Sequence, residues 1–198
     1  MQHYFIETKH SEKDFFEFDA EVCGEKLTIR SCDNIFSKDE VDLGSQTLIQ
    51  TVIEKVNPAG QGLDFGCGYG VIGIVLTKKC NVVMDFADVN GTAIELTRTN
   101  LLKNGIRVSG ELIKSDNFEN ISKTYDFIVT NPPIKTGKKL LFSVMENCYN
   151  HLKENGTLTL VIRKDHGEES LKKHLVNIFG NCEVIKRNKG FYILHCIK

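Results

Sequence analysis

The sequence predicts an α/β protein built on an open, doubly wound sheet. From residue 61 onward, short segments rich in β-branched residues alternate with segments whose apolar residues recur at helical spacing. The segments 125–130 and 156–162 have few polar interruptions, which is typical of strands buried on both faces of a parallel sheet. Alternating strands and helices of this kind favour right-handed crossovers between parallel strands.

The elements of this sheet can be assigned in order along the chain. The predicted strands are 61–65, 81–88, 108–114, 125–130, 156–163, 182–188 and 191–197. The predicted helices are 70–79, 91–104, 138–153 and 166–179. Asn188, Lys189 and Gly190 predict a turn with no helix between the last two strands, so the final strand should return antiparallel.

The residues before this core predict a small β-rich extension. Segment 16–22 alternates apolar and polar residues, and segment 25–30 follows it after Cys23 and Gly24, which predicts a hairpin. A helix is expected at 45–56, where apolar side chains recur at helical spacing. We therefore expect one domain over 1–198, with an extension at 1–35 and the core at 45–198.

Composition restricts the classes of protein that this chain can belong to. The 198 residues are 41% hydrophobic and 26% charged with a net charge of -1, as in soluble globular proteins, and this balance argues against a strongly basic surface. The seven cysteines are scattered without a CxxC pair, so we expect no metal site, no disulfide framework and a reducing, cytoplasmic location. We also expect no signal peptide and no membrane span.

A glycine-rich segment at 63–70 ends the first predicted core strand. Ligands of doubly wound sheets bind at the carboxyl ends of the strands, and glycines with positive φ let the backbone approach a ligand closely. An acid beside the loop could orient a neighbouring backbone or a bound cation such as a methionine amine. The candidate contacts are Asp64, Gly66, Cys67 through its backbone, Gly68 and Gly70.

The same segment has two other interpretations. Gly68, Gly70 and Gly73 match G-x-G-x-x-G, so a dinucleotide loop of an NAD(P)-dependent oxidoreductase is a competing hypothesis. The glycines could also serve only to pack a strand tightly against a helix, and for Gly73 we favour that interpretation.

Two acids follow the next strands. Asp88, with Val89 beside it, could accept hydrogen bonds from ribose hydroxyls; the alternative is a helix N-cap, for which Asn90 is better placed. Asp116, with Asn117 beside it, could accept from an adenine amino group while Phe118 packs near the ring. An ordinary Asx turn is the alternative for Asp116.

A second motif follows the strand predicted at 125–130. Proline disfavours the α conformation in the preceding residue, so Asn131 and Pro132 are expected to be held extended by Pro132 and Pro133. The Asn131 side-chain oxygen and the Pro132 carbonyl could accept two hydrogen bonds from one amino group, beside the apolar face of Ile134. Such a clamp favours methyl transfer from S-adenosylmethionine to a nitrogen about 3 Å away. A strand end with a Pro-Pro turn is the alternative.

The combination of motifs at 36–45, 63–70, 131–134, 136–138 and 189–194 resembles the small-methyltransferase-domain family. This family includes the RsmC-type methyltransferases that modify guanine N2 in small-subunit ribosomal RNA. The resemblance implies a class I methyltransferase fold, S-adenosylmethionine as cofactor, and Asn131 and Pro132 at the target amine. It also implies cofactor contacts from Gly44 and Ser45, the glycine loop, Asp88, Asp116 and Asn131.

The chain departs from the family pattern in two ways. Two-domain members carry a further methyltransferase-like domain, so we expect a short single-domain relative. The position after Asn-Pro-Pro is often aromatic in amino-directed enzymes, whereas here it is Ile134, which cannot stack on a base.

The expected substrate is ribosomal RNA or the small ribosomal subunit, with guanine N2 as the target. Lys135, Lys138 and Lys139 follow the clamp directly and could contact phosphates. Adenine N6 and a protein glutamine amide remain alternative targets, because the clamp suits any planar amino group. The histidines have no metal-ligand spacing and are given no role.

Overall fold

Strands and helices alternate along most of the chain in the computed structural model, which describes residues 14–33, 35–107, 109–132 and 137–198. The strands are β1 Phe15–Val22, β2 Glu25–Cys32, β3 Gln61–Phe65, β4 Val83–Asp88, β5 Leu112–Lys114, β6 Tyr125–Thr130, β7 Leu152–Arg163, β8 Glu183–Asn188 and β9 Phe191–Ile197. The helices are α1 Leu43–Thr51, α2 Val71–Cys80, α3 Gly91–Lys103, α4 Lys138–Asn150 and α5 Glu168–Phe179. A π-helical segment, Val52–Val56, extends α1, and a 3₁₀ helix, Lys164–His166, precedes α5.

The larger sheet formed by the described residues has the strand order β5-β4-β3-β6-β7-β9-β8. β3 pairs in parallel with β4 on one side and β6 on the other, whereas β9 runs antiparallel to both β7 and β8. The chain moves outward from β3 to β5 and then returns to β6, so the strand order reverses between β3 and β6. Open α/β sheets bind ligands at such a reversal. The predicted doubly wound sheet and its antiparallel last strand are confirmed.

Apolar side chains cover both faces of this sheet. In β6, Phe127 and Val129 belong to one buried cluster and Ile128 to the other, because successive side chains of a strand point to opposite faces. The first cluster also contains side chains of the hairpin, α1, α2 and α3, and the second contains side chains of α4 and α5. The sheet is therefore buried on both faces.

The predicted hairpin, β1–β2, lies against α3 through two asparagines. Asn104 accepts a hydrogen bond from the Thr28 amide at 3.1 Å and donates one to the Thr28 carbonyl at 3.0 Å. Asn100 bonds the Arg30 amide and carbonyl in the same way, at 2.7 Å and 3.0 Å. Two side-chain amides one helical turn apart thus pair with the edge of β2.

The largest differences from the predicted boundaries are in β5 and at the start of β7. β5 begins at Leu112 rather than 108. β7 begins at Leu152 rather than 156, and α4 ends at Asn150 rather than 153. Leu152 is 2% exposed and pairs with Tyr125 ahead of a register shift. Leu152 therefore belongs to the sheet and not to α4.

The described residues contain neither a membrane-spanning helix nor a cluster of metal-binding side chains. None of the helices there is both long and apolar enough to span a bilayer. The same residues contain no group of three or more His, Cys, Asp or Glu side chains arranged to hold a metal ion.

Candidate active site

A cavity of about 470 Å³ lies at the carboxyl ends of β3, β4, β6 and β7, beside the strand reversal. Its volume is within the range of small-molecule sites. The predicted site residues that line it are Ser45, Gly66, Cys67, Gly68, Asp88, Val89, Asp116, Asn117, Asn131 and Pro132. The predicted site residues that do not line it are Gly44, Asp64, Gly70, Lys138 and Lys139. Pro133, Ile134 and Lys135 lie outside the described residues.

The glycine loop presents bare backbone to the cavity at two positions. Gly66 has φ of 72° and Gly68 has φ of 57°, and a Cβ added to either would meet nothing within 4 Å. Gly70, in contrast, packs on α3, since a Cβ there would lie 2.8 Å from the Thr97 side chain. A Cβ on Gly73 would collide with the Phe86 ring, which agrees with the predicted packing role of Gly73.

Asp64 is fully buried behind the loop. Its Oδ2 accepts a hydrogen bond of 2.8 Å from the amide of Gly73 in the first turn of α2, so it orients a neighbouring backbone, one of its two expected uses. Its Oδ1 has no hydrogen-bond partner among the described residues. Burial raises the pKa of this carboxyl to about 7.

Asp88 ends β4 and joins the glycine loop to α3. Its Oδ2 accepts from the Gly68 amide at 3.0 Å, and its Oδ1 accepts from the Asn90 amide at 2.9 Å. Asn90 is the N-cap of α3, with its side chain accepting from the Thr92 amide. Burial raises the pKa of Asp88. Each carboxylate oxygen has a further lone pair, so these bonds leave capacity for a ribose hydroxyl.

The segment after β5 forms the next part of the wall. Asn117 has a left-handed backbone with φ of 50°, and its Nδ2 donates to Ser143 Oγ at 3.2 Å. Its buried Oδ1 has no partner in the part of the chain that the structure describes. Phe118 does not line the cavity, contrary to its predicted place near an adenine ring. It stacks on Phe65 with a centroid separation of 4.6 Å, one layer behind the wall.

The Asn-Pro motif begins directly after β6, the strand next to the glycine loop. Pro132 is buried, and Asn131 is half-buried. Asn131 Nδ2 donates a hydrogen bond of 3.0 Å to Ser45 Oγ, which comes from the first turn of α1. With Nδ2 used in this bond, the acceptor that the amide retains for a ligand is Oδ1.

Several cavity residues lie outside the predicted set of site residues. Phe36 is 63% exposed although it lines the cavity, and it is the first residue of the 36–45 motif, which could have identified it. Arg163 ends β7, His166 ends the 3₁₀ helix that follows, and Phe191 begins β9. The Arg163 guanidinium lies 5.6 Å from the Phe191 ring centroid. The antiparallel pairing of β7 with β9 brings Arg163 and Phe191 together. Phe191 belongs to the 189–194 motif, whereas no local sequence pattern marks Arg163.

The cavity wall fits S-adenosylmethionine, the predicted cofactor. Gly66 and Gly68 leave open space where side chains would stand. Asn117 Oδ1 is a buried acceptor that a ligand amino group could satisfy, because buried polar atoms are rarely left unpaired. Asp88 lies at the strand end where an acid binds ribose hydroxyls in doubly wound folds.

The fold and the site define a class I methyltransferase. The sequence matches the methyltransferase small domain over residues 26–195, and the chain belongs to that family. The predicted resemblance is thereby confirmed, and the dinucleotide oxidoreductase alternative receives no support.

Two relatives show the breadth of the similarity. The uncharacterized protein YbxB of Bacillus subtilis is 35% identical over 200 residues, covering 100% of this chain and 98% of YbxB. Ribosomal RNA small subunit methyltransferase C of Vibrio parahaemolyticus is 30% identical over 198 residues, with coverage of 95% and 54%. The chain thus spans about half the length of that second relative.

A solved structure confirms the predicted class I fold. The T. thermophilus 16S rRNA N2 G1207 methyltransferase (RsmC), determined with AdoMet and guanosine, superposes with a TM-score of 0.84 at 22% identity. The match covers 93% of this chain and 50% of that one. AdoMet, the ligand of that structure, is the cofactor predicted for this chain.

Proposed function

We propose that this protein is an S-adenosylmethionine-dependent N-methyltransferase that acts on guanine N2 in small-subunit ribosomal RNA. The observation that carries the proposal is that Asn131 and Pro132 line the same cavity as Gly66, Gly68 and Asp88. A backbone loop suited to a nucleotide cofactor and a pair of acceptors suited to an amino group therefore share one site.

The chemistry needs little beyond positioning. Bound S-adenosylmethionine would supply an electrophilic methyl group on its sulfonium. An exocyclic amino group is a weak nucleophile because its lone pair is delocalised into the ring. Asn131 Oδ1 and the Pro132 carbonyl would accept its two N–H groups and hold the nitrogen with its lone pair toward the methyl. The N–CH₃ bond would form as the S–CH₃ bond breaks, S-adenosylhomocysteine would leave, and one amine proton would pass to water. Fixed orientation of two reactants can supply roughly 7–11 kcal/mol of barrier reduction.

In this proposal, the chemistry of the cavity wall supports a place for each part of the cofactor. Asp88 accepts from the ribose hydroxyls, and the wall segment containing Asp116 and Asn117 holds the adenine amino group. The bare backbone at Gly66 and Gly68 admits the methionine portion. Gly44 and Asp64 act behind the wall in this proposal: Gly44 packs against Phe191, and Asp64 bonds the α2 backbone.

Phe36 supplies the aromatic surface for the target base in this proposal. Phe36 is 63% exposed and lines the cavity, so its ring is accessible to a base bound there. The loop carrying it is anchored, since Ser37 Oγ donates to the Glu40 carbonyl at 2.7 Å and Tyr69 Oη donates to the same carbonyl at 3.1 Å. Stacking on Phe36 would replace the contact that Ile134 cannot make.

The choice of ribosomal RNA is supported by the names of the relatives and by local charge. The Vibrio and Thermus relatives are ribosomal RNA methyltransferases by name. Lys138 and Lys139 are exposed in the first turn of α4, directly after the clamp. Exposed lysines beside a base-binding cavity are suited to phosphate contacts. Such a substrate would place the protein in the cytoplasm with the assembling small subunit.

Nucleoside mass spectrometry tests the proposal. Small-subunit RNA from cells lacking the gene should lose one N2-methylguanosine, and adding the purified protein with S-adenosylmethionine should restore it. Appearance of N6-methyladenosine in that reaction would move the target to adenine. Methylation of a protein glutamine with the RNA unmodified would contradict the RNA proposal.

A further inference from the structure

We propose that Ser45 is a positioning residue that turns the Asn131 amide so that its oxygen, rather than its nitrogen, faces the target amine. The inference rests on the proposed function, since it concerns how the same clamp is oriented. It gives Ser45 a role in turnover, in place of the cofactor contact that the family resemblance implies for it.

The Ser45 hydroxyl is held in a fixed position, from which it can orient the Asn131 side chain. It is 5% exposed, and its amide donates a 3.0 Å hydrogen bond to the Asp42 side chain that caps α1. Gly44 beside it packs so closely on Phe191 that a Cβ would lie 2.9 Å from the ring. The first turn of α1 is therefore fixed between its own cap and β9, and the Ser45 hydroxyl has a defined position.

The Asn131 amide needs such a partner because its two ends differ in chemistry but hardly in size. Oδ1 accepts hydrogen bonds, whereas Nδ2 donates them. An amide turned with Nδ2 toward the target would set donor against donor, and the clamp would be left with a single acceptor. The 3.0 Å bond from Nδ2 to Ser45 Oγ holds the productive orientation.

Removing the hydroxyl should therefore lower turnover while sparing the cofactor. In Ser45→Ala the amide can rotate, and we expect the single-turnover methylation rate to fall roughly 10-fold to 100-fold, the equivalent of removing one hydrogen bond to a buried group. Ser45→Thr keeps the hydroxyl and should recover most of the rate. The affinity for S-adenosylmethionine should change less than about threefold in either variant.

A double-mutant cycle separates this role from a direct contact with the cofactor. The rate is measured for Ser45→Ala, Asn131→Ala and the double variant, using saturating S-adenosylmethionine and small-subunit RNA from cells that lack the gene. If Ser45 acts only through Asn131, then Ser45→Ala should cause no further loss once Asn131 is alanine. Calorimetry with S-adenosylmethionine on each variant supplies the binding readout.

Thr51→Val is the matched control, because it removes another buried hydroxyl from α1 whose bond goes to the Thr47 carbonyl and not to the cavity. It should leave the rate unchanged. Two results would overturn the inference while leaving the proposed function intact. One is a normal methylation rate for Ser45→Ala at saturating cofactor, and the other is a double variant that is slower than Asn131→Ala alone. A normal rate for Asn131→Ala would instead remove the clamp, and with it both proposals.

Discussion

Asp64 fixes the backbone next to the glycine loop although it does not line the cavity itself. It lies in β3, is fully buried, and bonds the Gly73 amide of α2. Burial raises its pKa from 3.8 to about 7. A carboxyl whose pKa is higher in the folded state binds its proton more tightly there, so its contribution to stability is greatest below about pH 4 and is lost as the pH rises through about 7.

Replacing Asp64 by Asn should make the stability less dependent on pH. The asparagine oxygen can still accept from Gly73 but does not titrate, so the free energy of unfolding of Asp64→Asn relative to the wild type should rise between about pH 4 and pH 7. Urea titrations at several pH values measure this difference. A difference that stays constant across that range would show that Asp64 does not titrate there.

Phe36 offers a second test at the level of a single side chain. Stacking of a base on an aromatic ring contributes about 1–3 kcal/mol, so Phe36→Ala should lower kcat/KM for RNA by roughly 5-fold to 100-fold and spare the affinity for S-adenosylmethionine. Phe36→Tyr should retain activity. Leu102→Ala is the control, because Leu102 is 65% exposed on α3 and does not line the cavity. Equal effects of the two alanine variants would contradict a stacking role.

The residues of the cavity differ in how far the sequence predicts their place. Asp88 ends one predicted strand and Asn131 directly follows another. The topology places the carboxyl ends of these strands at one edge of the sheet, where both residues line the cavity. The sequence does not reveal that Asp64 and Gly70 lie behind the wall, because only packing against α2 and α3 determines that. Arg163 depends on the pairing of distant strands, so no local pattern marks it.

At the level of elements, the attachment of the hairpin to α3 depends on Asn100. Its side chain is fully buried and also donates to the carbonyl of Tyr69 in the glycine loop at 2.9 Å. Replacing it by Ala removes three hydrogen bonds at a buried position, so we expect a loss of about 2–4 kcal/mol in the free energy of unfolding, measured with urea. Asn104→Ala, at a less buried position, should have a smaller effect.

Glu95→Ala provides the comparison for these variants, because Glu95 is exposed on the same helix. Its effect should be within about 0.5 kcal/mol. An Asn100→Ala variant as stable as Glu95→Ala would mean that the hairpin is held by apolar packing alone.

Most elements are predictable because their pattern is local. The strands at 61–65, 125–130 and 191–197 have the predicted boundaries, since each is a short apolar segment bounded by turn residues. The early start of β7 depends instead on tertiary packing. Leu152 is drawn into the sheet by its pairing with Tyr125, and a sequence pattern contains no information on that register.

At the scale of the whole molecule, charge tests the choice of RNA as substrate. The net charge is -1, so binding to a polyanion must depend on local lysines. We expect the affinity for RNA to fall steeply as the salt concentration rises. A triple variant, Lys135→Gln, Lys138→Gln and Lys139→Gln, should make the slope of log affinity against log salt concentration shallower by about one for each phosphate that a lysine no longer neutralises. Filter binding at a series of salt concentrations measures the slope.

Removal of other exposed lysines gives the matched control. Lys26 on β2 and Lys173 on α5 are exposed and do not line the cavity. Changing these two to Gln alters the net charge without touching the clamp, and the slope should stay near that of the wild type. If this variant lowers the slope as much per lysine removed as the clamp variant does, the lysines beside the clamp have no special role.

The proposed function depends above all on Asn131 holding the amine that is methylated. The direct measurement is the single-turnover rate of methyl transfer to small-subunit RNA by the Asn131→Ala variant, together with its affinity for S-adenosylmethionine. Removing a group that acts mainly on the reacting amine should lower the rate about 100-fold or more and change the cofactor affinity only a few-fold. A variant that methylates at the wild-type rate would contradict the account.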